Sequence, residues 1–186
     1  MSAKKTYYTN LLLSGVLFIF SGLLSAYLYY RLPENGGAFF PGLIYTSCTV
    51  LLFVRLKIVP SQKALLSYYL FMNLTWLLIW ILTLVSTWFA VFIGLVTTGA
   101  GAVISFMLTN KFIVPIKFER MHVFLLGSLA FAITDLIYMG NGPLYDKRPL
   151  EYLWGTNDQP AVLFTEAIIL WQLIIGLRLF LALRKS

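Results

Sequence analysis

Charge, cysteine and histidine are all scarce in this chain. Only 11% of its 186 residues are Asp, Glu, Lys or Arg, where a soluble domain carries roughly 25%. Cys48 is the single cysteine, which excludes an intrachain disulfide and a thiolate metal site. Set in an apolar run, it reads as a small packing residue. His122 is the single histidine, so a haem with two histidine ligands from one chain is excluded. A zinc or di-iron centre is disfavoured for the same reason, because such sites draw on several histidines. The sequence has no phosphate-binding loop, nucleophile elbow, HExxH, cysteine pair or dinucleotide fingerprint. Ser128 follows His122 too closely, on another helix face, to serve as the nucleophile of an intramembrane protease. No catalytic residue, metal or cofactor is expected.

Apolar residues fill the space that charge leaves. They make up 60% of the chain, and aromatics alone make up 17%. A water-soluble core cannot absorb that much apolar surface at this length, because too little polar surface remains to cover it. Lipid can. The expected fold is an all-α integral membrane protein, a six-helix transmembrane bundle forming one domain over residues 1–186. Its spans read as 10–31, 39–59, 66–86, 88–110, 121–140 and 160–183, each near the ~20 residues that cross the hydrocarbon. Turn chemistry marks the breaks: Pro33 to Gly37, Pro60-Ser61-Gln62 and Gly140 to Pro143. Ser86-Thr87 predicts a tight hairpin between spans three and four. Lys4-Lys5 before an apolar run also fits the start of a signal peptide cut near Ala26, but the run is long and the cleavage site poor.

The cations sort by side. Lys4, Lys5, Arg55, Lys57, Lys63, Lys111, Lys117, Arg120, Arg178, Arg184 and Lys185 fall on one set of ends, and only Arg31, Lys147 and Arg148 on the other. The positive-inside rule then puts both termini in the cytoplasm of a cell (inner) membrane. The net charge of +7 reads as a topology signal and as contact with anionic headgroups, not as a nucleic-acid surface.

Two connections have character. Lys111 to Arg120 alternates Lys111, Lys117 and Arg120 with Phe112, Ile113, Val114, Ile116 and Phe118. This predicts a segment in the cytoplasmic interface, its apolar side chains in the acyl boundary and its cations at headgroups or a protein partner. Residues 141–159 form the one longer outer loop, before the last helix. Tyr145, Lys147, Arg148, Tyr152 and Trp154 there suit a folded cap able to sense something outside, or a linker anchored by interfacial aromatics.

Carboxylates within spans are the strongest site signal, because a charge in hydrocarbon must be paired, hydrated or protonated. Asp135 in span five and Glu166 in span six each fall roughly 8–9 Å below the outer boundary at 1.5 Å rise per residue. They could share a proton or hold a cation, or be satisfied separately, and Arg31 stands at similar height. Ser128 and Asp135 share one face of span five. Asn73 in span three reads as a helix-to-helix link. Gly94, Thr98, Ala102 and Ser105, with Gly101 between, allow close backbone approach, within the bundle or between copies in a homo-oligomer. Gln172 and Arg178 are polar points in span six, and Arg178 can snorkel to the inner interface.

In length and hydropathy the chain resembles several groups of small six-helix membrane proteins. They are substrate-binding subunits of bacterial importers, immunity proteins against pore-forming toxins, and membrane subunits of anti-phage defence systems. The resemblance is one of build and transfers no site. The expected function is a non-enzymatic multi-pass subunit of a larger assembly, acting as sensor, anchor or channel-forming component. A carrier using Asp135 and Glu166 is the second expectation, and a lipid-modifying enzyme with those carboxylates as acid and base the third.

Overall fold

The computed structural model describes residues 3–32, 39–58, 60–85, 90–139 and 161–184. Six helices fill them, and among the described residues there is no strand. They are α1 (Ala3–Arg31), α2 (Phe40–Arg55), α3 (Gln62–Val85), α4 (Ala90–Phe112), α5 (Arg120–Met139) and α6 (Ala161–Leu183). One stretch, Tyr7–Tyr29, is long and apolar enough to cross a membrane by length and composition, with a mean hydropathy of 2.1. Phe40–Arg55, Arg120–Thr134 and Ala167–Leu183 are apolar and shorter.

Two helix ends differ from the sequence expectation, for local reasons. α1 starts seven residues before Asn10, running through Lys4 and Lys5, because no breaker interrupts that stretch. α2 stops at Arg55, short of Val59, although Leu56 and Ile58 are apolar. Lys57 adopts a φ of 59°. Its amide bonds the Val54 carbonyl at 3.0 Å, and the Ile58 amide bonds that of Phe53 at 2.9 Å. This left-handed closure satisfies the last carbonyls and ends the helix. Ser61 opens α3 by accepting the Ala64 amide at 3.3 Å.

Each helix packs on the next and α6 closes back onto α1, with α6 also touching α2 and α4. Successive partners run antiparallel. On α4 and α5, Gly94 meets Phe131 while Gly99 meets Phe124. On α1 and α6, Gly22 meets Ile169 while Phe18 meets Gly176. A methyl group at Gly22 would stand 2.8 Å from the Ile169 Cα, and one at Gly127 2.6 Å from the Thr98 carbonyl oxygen. The two tightest seams therefore depend on glycine for backbone approach. Between the seams, Tyr45 and Trp76 both meet the Trp171 ring edge-on, at 5.3 and 5.1 Å between centroids.

Polar side chains are buried within an apolar core, while large apolar side chains cover the outside. Ser14, Ser21, Ser25, Thr46, Thr49, Ser105, Thr109, Thr134 and Gln172 are buried, while Leu12, Leu66, Leu78, Val96 and Met121 are exposed. Several of the buried hydroxyls spend their hydrogen on a carbonyl one turn back, as Ser14 does on Asn10 (2.8 Å) and Thr46 on Gly42 (2.7 Å).

The segment after α4 corrects the sequence reading. Its apolar side chains turn into the bundle, not into an acyl boundary. Ile116 is only 6% exposed, and Phe112, Ile113, Val114 and Phe118 pack against the same core. The Asn110 side-chain oxygen accepts the Ile116 amide at 2.8 Å and pins the turn. Phe118 lies 5.3 Å from Phe106, and Phe112 stacks on Phe71 at 5.6 Å. The segment is a plug closing one end of the bundle.

Candidate functional site: buried polar groups and a basic end

The plug turns its apolar side chains inward, and this leaves its cations outside. Lys111, Lys117 and Arg120 are exposed, and so are Arg55, Lys57, Lys63 and Arg184 from the helix ends around them. The Arg184 guanidinium lies 3.6 Å over the Tyr7 ring and ties the end of α6 to the start of α1. Glu119 stands in this basic surface, paired with His122 at 2.8 Å. Both partners are largely exposed, so the pair adds little stability. The resulting surface is strongly positive.

In the interior, Gln172 joins three helices. Its amide nitrogen donates to Ser25 Oγ (3.0 Å) and to the Pro41 carbonyl (3.2 Å). Its oxygen accepts from Ser21 Oγ at 2.5 Å and Ser25 Oγ at 3.3 Å. The side chain is 0% exposed. A second polar group lies between α2, α3 and α4. The hydroxyls of Tyr45 and Tyr68 are fully buried and have no hydrogen-bond partner among the described residues. Thr49 flanks both, Ser105 flanks the first, and Thr109 the second. These three spend their hydrogens elsewhere, Thr49 on the Tyr45 carbonyl, Thr109 on the Ser105 carbonyl and Ser105 on Met72 Sδ.

The residues singled out in the sequence fall into three groups. The first holds helices together. Ser128 Oγ donates to the Leu95 carbonyl at 2.7 Å, a clasp between α5 and α4. Gly94 and Ala102 lie against α5, and Gly101 lies against Ile79 of α3 and Trp171 of α6. Thr98 offers its carbonyl to the Trp171 indole at 3.0 Å. These positions of α4 face other helices of the same chain. Asn73 donates to Tyr69 one turn back at 2.8 Å, and its oxygen faces Gly42 of α2.

The second group sits on two helices that pack together. Asp135 lies on α5 and Glu166 on α6, helices that pack on each other, but both side chains lie outside the described part of the structure. Arg31, exposed at the end of α1, places its guanidinium 5.8 Å from the Tyr27 ring centroid. The third group falls entirely outside the described residues: Tyr145, Lys147, Arg148, Tyr152 and Trp154, together with the Ser86-Thr87 connection. Among the described residues, no three of His, Cys, Asp and Glu stand together as a metal site.

Sequence reasoning missed the interior centre. Ser14, Ser21 and Ser25 recur at helical spacing on one face of α1, a legible signal for a buried polar stripe. Nothing local marks Tyr45 or Tyr68 as interior. No protein-family model matches the chain, and no curated protein or solved structure matches it either.

Proposed function

We propose that the chain is a non-enzymatic, multi-pass membrane subunit, six spans with both termini in the cytoplasm, which uses its basic end to hold an acidic protein partner within a larger assembly. The observation that carries this is the gathering of exposed cations at one end of the bundle. Lys111 at the end of α4, Lys117 in the connection and Arg120 at the start of α5 are all exposed, around an Ile116 that is buried and whose amide is tied to Asn110. A surface of one charge sign gathered from several helix ends suits an acidic protein face, which it would steer and orient. The membrane reading is supported by the many exposed Leu, Val, Phe and Met side chains around the bundle, a surface that water would penalise and lipid would not. The sorting of cations onto one end supports the orientation.

Gentle-detergent purification of the full chain from its host, with mass spectrometry of the co-eluting material, tests this reading. A stoichiometric soluble partner, lost when Lys111, Lys117 and Arg120 are changed to Glu, is the expected result. A partner-free particle whose behaviour those changes leave intact refutes it.

A second reading, a carrier that binds a cation or proton, rests on a different observation: α5 and α6 pack together and bear Asp135 and Glu166 toward the same end. It requires that Asp135→Asn and Glu166→Gln abolish uptake while leaving assembly intact. Loss of assembly would make the pair structural.

A further inference from the structure

A groove of about 480 Å³ runs along the outer face of α5. Leu125, Leu129 and Ala132 form its floor, Leu95 of α4 closes one side, and Arg178 of α6 and His122 stand toward its basic end. The floor residues are three and four apart, one stripe of a helix. Leu125 and Leu129 are 54% and 48% exposed. From His122 to Ala132 the stripe spans ten residues, about 15 Å at 1.5 Å rise. That is one leaflet, half of the ~30 Å hydrocarbon thickness.

Arg178 makes the groove more than a lipid-facing surface. It sits on α6 five residues before Leu183, inside the apolar depth, and no described carboxylate pairs with it. A cation at that depth is costly unless an anion or the interface reaches it. The nearest described carboxylate at this end, Glu119, is engaged by His122 at 2.8 Å. The apolar lining offers nothing else to the guanidinium, apart from the Ser128 hydroxyl, which donates its hydrogen to the Leu95 carbonyl.

The geometry points to a bound phospholipid of the cytoplasmic leaflet: one acyl chain along Leu125, Leu129 and Ala132, and its phosphate on Arg178. This rests on the membrane reading and orientation proposed above. Length, apolar floor and the half-buried Arg178 at the headgroup end together match one lipid. A peptide helix would need a wider face, and a free anion has no use for the leucine floor. Arg178 supplies the fork geometry that phosphate oxygens accept. The bound lipid lies along the outer face of α5.

The test uses the full chain in detergent, by native mass spectrometry with added phosphatidylglycerol and, separately, diacylglycerol of the same acyl chains. Carbonate extraction of the source membranes comes first. A chain that washes off defeats the membrane reading itself, and a chain that stays leaves the groove as the only question. The wild type is expected to retain phosphatidylglycerol about tenfold better than diacylglycerol. Arg178→Gln should abolish that preference, Leu129→Trp should reduce retention of both lipids, and Lys111→Gln should leave both unchanged. Undiminished preference in Arg178→Gln, or an equal loss in Lys111→Gln, overturns the site. Displacement of the lipid by millimolar inorganic phosphate overturns it too, in favour of an anion site. If Arg178→Gln does not fold, Leu129→Trp decides alone, since its side chain lies on the surface, and unchanged retention there refutes the site.

Discussion

Replacing Gln172 with Leu isolates the worth of the polar centre. Leu keeps most of the volume, so no large cavity opens. Three well-placed interhelical bonds are lost: those from Ser21 (2.5 Å), to Ser25 (3.0 Å) and to the Pro41 carbonyl (3.2 Å). The stranded groups have somewhere to go. Both serine hydroxyls can turn to a carbonyl of their own helix, as Ser14 already does, and the Pro41 carbonyl lies in the first turn of α2, within reach of a helical amide. Interhelical hydrogen bonds in membrane proteins average about 0.6 kcal/mol, so the substitution should cost about 2 kcal/mol. That is roughly a thirtyfold fall in the folded-to-unfolded ratio. Gln172→Glu should cost more than Gln172→Leu, because it presents a carboxylate to the same buried site. Unfolding in mixed micelles of rising dodecyl sulfate, followed by helicity, reads both. A cycle pairing Gln172→Leu with Ser21→Ala should show coupling of about 0.5–1.5 kcal/mol. A Gln172→Leu variant as stable as wild type, or one that fails to assemble at all, would refute this account of the centre.

The same unfolding assay checks three further expectations. Gly127→Ala should cost about 1–3 kcal/mol by forcing α4 and α5 apart, whereas Gly15→Ala, whose methyl would meet only Leu177 at 3.9 Å, should be neutral or gain up to about 1 kcal/mol. Tyr45→Phe and Tyr68→Phe should each raise stability by about 1 kcal/mol, because each removes a buried hydroxyl that no described group satisfies; a loss of that size would contradict the orphan assignment. Ile116→Ala should cost about 2–5 kcal/mol and open residues 111–120 to limited proteolysis, a change detected by mass mapping.

The helices were legible because long apolar runs are broken by Pro, Gly and Ser, and those breaks are local chemistry. Pro60-Ser61-Gln62 is an example, with Ser61 capping α3 as its position suggests. The end of α2 was not legible: Leu56 and Ile58 look like more helix, and only the left-handed Lys57 reveals the stop. The plug misled for a different reason. Alternating cations and apolar residues describe an interfacial segment and an end cap equally well. What decides is the bond from Ile116 to Asn110 and the room beside Phe106, both set by tertiary packing. At the candidate sites, spacing placed Ser128 on the polar face of α5, yet spacing cannot tell a ligand hydroxyl from one spent on the Leu95 carbonyl. The link from Gln172 to Ser21 and Ser25 depends on the register of the first helix against the last, which no local pattern encodes.

Cysteine labelling in a Cys48→Ala background tests the central claim most directly, since Cys48 is the only native thiol. Single cysteines at Lys63, Lys117, Gly36 and Lys147 would be exposed to a membrane-impermeant maleimide in intact cells and again after permeabilisation. The six-span reading requires that positions 36 and 147 react in intact cells and that positions 63 and 117 react only once the membrane is opened. Reaction of all four in intact cells, or of none until permeabilisation, would contradict it.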